Sequence, residues 1–209
     1  MKLRRKKREH DDERKGDNGQ DFSEEALADY LDVKRRKAPE GYLEVESYPL
    51  RPPFSYAFVA QNQETTEYLY LVDELPLTQD EREAYERMKN VLEYELRAPQ
   101  EEEGLIQSFH RQIPEIMNKH PKILGAITPI GTKKIMYYLE RDIAGYEKLD
   151  PLMFDPHVED ISCSGVRKSI FLWHRKYENI KTNVHFGNEE ELEDFVMKIV
   201  HRAGKHVSI

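Results

Sequence analysis

Residues 158–184, VEDISCSGVRKSIFLWHRKYENIKTNV, decide the fold. The runs 158–163, 169–174 and 179–184 are short and rich in β-branched and aromatic residues, and SGVRK and RKYE separate them, which predicts three strands. Phe171 and Trp173 alternate with Leu172, so at least one face of the middle strand packs against something. Asn188 then caps a predicted helix whose Leu192, Phe195, Val196, Ile199 and Val200 form one apolar stripe, ended by Gly204. This is a compact α+β unit. Its size makes it marginal alone, since a chain of ~60 residues buries only ~60% of its extended surface.

The stretch leading into it, GYEKLDPLMFDPHVEDISCSG (145–165), concentrates Asp150, Asp155, Glu159 and Asp160 with His157 and the single cysteine, Cys163. Four carboxylates can in principle hold a hard cation. The pattern favours another reading: Asp150-Pro151 and Asp155-Pro156 each have the form of a helix cap followed by proline at the first helical position. Gly145, Asp150, Pro151, Asp155 and Pro156 are therefore assigned to a hinge where a second domain begins.

Upstream, YLEVESYPL, FSYAFVAQN and TEYLYLVDEL predict a small antiparallel sheet. Thr78 and Glu81 form a capping box that opens a helix over 79–96. Leu105, Phe109, Ile113 and Met117 mark a further helix that Pro114 is expected to kink or divide. Another, over 133–144, buries Met136, Leu139 and Ile143 and stops at Gly145. Before the sheet, Phe22, Ala26, Leu27, Tyr30 and Leu31 recur at helical spacing over 22–37.

Residues 1–20 are nearly all charged or polar and are expected to be disordered. Six of the first eight residues are Lys or Arg, against −8 for the whole chain, so a basic tail precedes a body of −14. Such a cluster, Lys2 to Arg8, suits an anionic membrane surface; the acidic body disfavours nucleic acid. One cysteine, no apolar run of membrane length and no signal core after MKLRRKKR lead to the expectation of a soluble, cytoplasmic protein.

Catalytic patterns are weak. In GAITPIGTKK (125–134) five residues rather than four separate the glycines, Thr132 precedes Lys133, and Pro129 removes an amide where a phosphate loop needs donors. Cys163 is solitary, and His201 and His206 straddle Gly204, which suits no zinc site. Ser164, His174 and Asp160 lack a nucleophile elbow, and SIFLWHRKY lacks the glycine-aromatic pattern of an RNA-binding strand. No catalytic or metal-ligating residue is assigned.

The run YYLERDIAGYEKLDPLMFDPHVEDISCSG, continued by SIFLWHRKYENIKTNVHFGNEEELEDFVMKIVHRAGKHVSI, resembles the N-terminal region of type II/type IV secretion ATPases, in particular the archaeal branch that powers archaella and pili. The likeness rests on G-Y-x-x-L-D-P-L-M, D-P-x-V-E-D-I-S-C-x-G, W-H-R, K-T-N-V and G-K-H-V-S, over roughly 137–209; YPLRPPFSYAFV and YLYLVDELPLTQDE share it less distinctively. It implies an α+β fold in three parts: the tail 1–20, a helical and small-sheet domain over 21–144, and a small, PAS-like α+β domain over 145–209 that swings over the nucleotide. The sequence ends before any Walker motif, so the resemblance implies no catalysis in this piece; ATP and Mg2+ would belong to the RecA-like domain of the full-length protein.

The implied partners are that ATPase domain, neighbouring subunits of a hexameric ring and a membrane platform protein, at the inner face of the cell membrane. Arginines of the small domain would neutralise phosphate charge, which makes Arg175, Arg202 and Arg167 the candidate nucleotide contacts. A free-standing adaptor or small-ligand sensor is the alternative.

Overall fold

A computed structural model of the chain describes residues 38–203; the basic tail, the helix expected over 22–37 and residues 204–209 lie outside the described residues. The fold is α+β, with five helices and one six-stranded mixed sheet among the described residues. Strands β1 (Tyr42–Arg51), β2 (Ser55–Asn62) and β3 (Tyr68–Glu74) form an antiparallel meander, and the three helices α1 (Gln79–Glu95), α2 (Leu105–Lys119) and α3 (Pro129–Leu139) follow. A π-helical turn (Glu140–Ala144) and the short α4 (Asp150–Phe154) lead to the antiparallel β4 (Val158–Ser162), β5 (Ser169–His174) and β6 (Glu178–His185). Helix α5 (Glu189–Arg202) closes the described chain, with the Asn188 side chain accepting from Glu191 N at its start.

Each half of the sheet forms where its alternation places it, but the two halves meet in one sheet of order β1-β2-β3-β6-β5-β4. The join is parallel and short: only Leu69 with Lys181 and Tyr70 with Thr182 are in register. Beyond them the Asn183 side chain takes over the role of a strand. Its Oδ1 accepts from Val72 N at 2.8 Å and its Nδ2 donates to Val72 O at 3.0 Å.

Two apolar cores result. Against the inner face of the sheet, Val59, Tyr70, Ile170, Leu172 and Ile180 pack with Leu152 of α4 and Phe195 of α5. Among the helices, Met88, Leu92, Phe109, Ile135 and Leu139 form the other. Phe54, Leu75 and Tyr137 connect the sheet to α3.

Local signals explain the helix ends. The expected capping box is present, with Thr78 N donating to Glu81 Oε2 at 2.8 Å and Glu81 N to Thr78 Oγ1. Helix α3 starts four residues before the expected 133, because Thr128 caps it and Pro129 takes its first turn. Pro114 does not divide α2, which runs unbroken from Leu105 to Lys119.

Gly145 ends the helical run in an extended conformation; the need for glycine comes from close approach, since a Cβ there would meet the Asp150 carboxylate and lie 2.7 Å from Arg141 O. Two expectations need correction. Asp150 does not cap a helix from outside: Leu149 stands at the cap position, Asp150 is the first residue of α4, and its carboxylate accepts from Tyr146 N upstream. Asp155-Pro156 starts no helix. Asp155 instead terminates α4, because its carboxylate is committed to partners on the sheet.

If Asn183 completes the seam, Asn183→Ala leaves the buried Val72 amide and carbonyl unpartnered and should cost about 1–3 kcal/mol. Urea unfolding of the variant against the parent chain measures this, and a loss indistinguishable from zero would refute the bridging role.

Candidate functional site

The segment expected to act as a hinge carries two buried carboxylates, Asp150 and Asp155, each held by partners on the sheet. At its start, Arg51 at the end of β1 donates to Asp150 Oδ2 at 2.7 Å and also pairs with Glu140, which His110 contacts in turn. Asp150 Oδ1 accepts from Tyr146 N at 2.8 Å, closing the turn that Gly145 opens. Burial raises the Asp150 pKa above its ordinary value, with the Tyr146 amide and Arg51 opposing that rise. The Arg51 guanidinium also stands 4.8 Å from the Phe154 ring centre and 5.1 Å from that of Tyr137. Gly145, Asp150 and Pro151 thus fasten the π-turn and α4 to β1.

At the other end of the segment Asp155 is 2% exposed. Its Oδ2 accepts from the hydroxyls of Tyr70 (2.6 Å) and Tyr48 (2.7 Å), and its Oδ1 from His157 N (2.7 Å). His174, equally buried, lies 3.1 Å from the Tyr48 oxygen through Nε2, while its Nδ1 accepts from Lys176 N. Because Nδ1 accepts, the neutral ring carries its proton on Nε2 and donates it to Tyr48, whose own hydroxyl proton goes to Asp155. Burial and the neighbouring carboxylate push both tyrosine pKa values up, so both remain donors. Sequence reading missed Tyr48 and Tyr70 because their separation from Asp155, 107 and 85 residues, leaves no local pattern.

The candidate arginines occupy three different places. Arg167 sits in the β4–β5 turn with a left-handed φ of 58° and donates to Gly187 O at 3.3 Å. Arg175 follows the opposite end of β5, roughly 20–25 Å away at ~3.3 Å per residue, and forms an exposed pair with Glu159 at 3.1 Å. Arg202, in the last turn of α5, donates to Ile143 O at 3.1 Å and lies over the Tyr146 ring at 5.2 Å; burial lowers its pKa. Arg167 and Arg175 therefore do not converge on one point. Arg167 and Arg175 are both exposed with one side-chain tie each, whereas Arg202 is partly buried against Ile143 and Tyr146.

The stretch 125–134 does not fit a phosphate. Its Thr128 caps α3, and Lys134 is 1% exposed, paired with Glu81 at 2.7 Å and donating to Pro76 O at 3.0 Å. His174 has both ring nitrogens engaged as described, so no triad with Ser164 and Asp160 is built on it. Among the described residues no group of three or more His, Cys, Asp or Glu is placed to hold a metal ion, and no helix is long and apolar enough to cross a membrane.

A cleft of about 520 Å³ opens beyond the carboxyl ends of β3 and β6, where the parallel strands part. Such a gap between parallel strand ends is a common place for a ligand in α/β proteins. Here Glu74, Arg141 and Asp142 line one side, with Arg141 bridging the two carboxylates at 2.7 Å each; Lys148 and Glu191 pair across the other. Its charges are largely paired within the chain, which suits binding a polar group more than activating a nucleophile.

Against known proteins, the chain is 36% identical over 143 residues to Uncharacterized protein MJ1288 of Methanocaldococcus jannaschii, covering 67% of this chain and 56% of that one. It is 26% identical over 180 residues to Uncharacterized protein MJ0900 of the same organism, covering 77% of this chain and 32% of that one. The chain thus spans about half the length of the first relative and a third of the second. No protein-family model matches it.

The Asp155 cluster makes stability depend on pH. Burial holds the His174 pKa below its ordinary 6.5, a shift that Asp155 and Glu46 oppose and His157 and Lys176 reinforce. The unfolded chain therefore takes up this proton first as pH falls, so the stabilisation is complete above about 6.5 and is lost below it. Unfolding free energy should fall between pH 7 and pH 5, and the fall should be shallower in His174→Gln; equal slopes for the two chains would remove His174 as the cause.

Proposed function

We propose that this chain is the non-catalytic N-terminal part of a type II/type IV secretion ATPase of the archaeal branch, passing nucleotide-driven motion from a RecA-like domain to a membrane platform protein. The observation that carries this reading is that the resembling run is one structural piece. Its described part, 137–203, comprises the end of α3, the fastened connector, β4 to β6 and the covering α5. Support also comes from the second relative, MJ0900 of Methanocaldococcus jannaschii, of which the match covers 32%, so that the larger part of its length lies outside the matched region and leaves room for a catalytic domain.

On this reading ATP and Mg2+ are held elsewhere, and this chain offers an arginine to a nucleotide bound by its own catalytic domain or by a neighbouring subunit of a hexameric ring. Arg175 is best placed, because its pair with Glu159 is exposed and such pairs are worth little in water. Lys2 to Arg8 would meet anionic lipid at the inner face of the cell membrane. Because β1 to β3 share a sheet with β4 to β6, force on α5 passes through the sheet as through one body.

The cleft beyond β3 and β6 favours a second reading, a sensor of a small polar ligand. That reading predicts a ligand that raises the melting temperature of the chain by itself.

On the first reading the isolated chain should hydrolyse no ATP, and it should bind the RecA-like domain of an archaeal secretion ATPase supplied in trans and raise its turnover. Arg175→Ala should lower the raised rate on the order of tenfold or more, with the melting temperature unchanged. Turnover by the chain alone, or a RecA-like domain indifferent to it, would count against the assignment.

A further inference from the structure

A second cavity, of about 460 Å³, opens where the β1–β2 turn, α2 and α3 meet, and it shares no lining residue with the cleft beyond β3 and β6. The two differ in kind. Apolar side chains form most of this wall: Phe54 from the turn, Phe109 and Ile113 from α2, and Met136 and Tyr137 from α3. The Phe54 and Tyr137 rings stand 5.6 Å apart. Pro114 adds its own ring from the interior of α2, where it has no N–H to give the His110 carbonyl one turn before. A few hundred Å³ of mostly apolar space with a small number of polar groups at one end is the usual form of a small-molecule site.

The polar groups decide what kind of molecule fits. Arg51, His110, Lys133 and Glu140 bring the charges. Both oxygens of Glu140 are engaged, one by Arg51 and the other by His110, and Arg51 is held further by Asp150. Lys133, exposed in the second turn of α3, has no side-chain partner among the described residues, and neither has the hydroxyl of its neighbour Thr132. A cation entering the cavity would therefore meet a carboxylate with no oxygen to spare. An anion meets one uncommitted ammonium beside one uncommitted hydroxyl.

We propose that this cavity binds a small hydrophobic monocarboxylic acid, its apolar body between Phe54, Phe109, Ile113 and Tyr137 and its carboxylate on Lys133 Nζ and Thr132 Oγ1. Two carboxylate oxygens match two neighbouring donors, and one negative charge matches one free positive charge. A phosphate monoester would bring further charge for which the lining holds no free donor. An exposed ammonium contributes little to affinity in water, so burial of the apolar body supplies most of the binding and Lys133 supplies the choice of sign. The inference is independent of both readings of function given above, since it uses neither the arginines nor the cleft at β3 and β6.

The test titrates the full chain with phenylbutyrate, octanoate and indole-acetate, and with phenylbutanol and phenylbutylamine as neutral and cationic counterparts. Methyl resonances of Ile113 and Met136 should shift saturably with the acids, and those of Ile170 and Leu172 in the sheet core should not. Phenylbutyrate should bind more tightly than phenylbutanol, and phenylbutylamine more weakly than either. Lys133→Ala, at an exposed position, should weaken phenylbutyrate about fivefold and leave phenylbutanol unchanged. No saturable shift at Ile113 and Met136 with any of the three acids overturns the proposal, as does an amine that binds as tightly as the acid. A Lys133→Ala variant that binds phenylbutyrate like the parent, or that loses the acid and the alcohol alike, removes the assigned role of Lys133 and overturns it equally.

Discussion

Everything in this fold depends on a seam two residue pairs long. The register of Leu69 with Lys181 and Tyr70 with Thr182 is the only strand pairing between β1–β3 and β4–β6. A handful of backbone hydrogen bonds contributes about 0.5–1.5 kcal/mol each, too little to hold two three-stranded sheets in line. The seam is reinforced where the backbone pairing stops. Asn183 carries it onward along β3 on one side of the sheet's midline, and on the inner face Asp155 gathers Tyr48 of β1 and Tyr70 of β3, with His174 of β5 reaching the same group through Tyr48.

The choice of ligands for Asp155 is instructive. A carboxylate this deep is costly unless several donors reach it, and the closest ones here are two neutral hydroxyls and a backbone amide rather than a guanidinium. Neutral donors do not need desolvating as ions, so the cluster avoids the large penalty of a buried pair. They are also directional. Each hydroxyl fixes the distance of its own strand from the connector, which a flexible lysine would not do. At the other end of the connector the solution is different: Arg51 is half-buried at the rim, where a cation keeps part of its hydration while it holds Asp150 and Glu140.

How much of this could be read in the sequence follows from the range of each interaction. The three strands 158–184, the capping box at Thr78 and Glu81 and the Asn188 cap are local, and they formed within a residue or two of where they were read. The parallel join was not legible, because a strand pairing across more than a hundred residues leaves no mark on either strand alone. Asp155-Pro156 was misread for a related reason: Asp before Pro looks the same whether the carboxylate caps a helix or accepts from tyrosines far upstream. Lys134 shows the same limit: its stretch reads as unfit for a phosphate loop, but its place in the core is not legible, because the Glu81 that neutralises it lies far upstream and is already used in the capping box. Of the candidate arginines, the sequence supplied the identities and the placing of Arg167 and Arg175 on either side of the 169–174 strand, but not the packing of Arg202 on Ile143 and Tyr146, which lie more than fifty residues upstream.

These ties bear on how the molecule could transmit force. A hinge needs a segment whose backbone turns without breaking buried polar contacts, and residues 145–157 hold Tyr146 N, His157 N and two buried carboxylates in fixed bonds. Rotating one half of the sheet against the other would expose Asp155 and open the core around Leu152, at a cost far above that of moving the whole body. Motion is cheaper where side chains are exposed and weakly tied, as at Phe171 and Trp173 on β5 and at Arg175 just past its end. On the proposed function, a load delivered to that strand would therefore be carried through the sheet toward β1 rather than dissipated between its halves, and movement would fall outside the sheet.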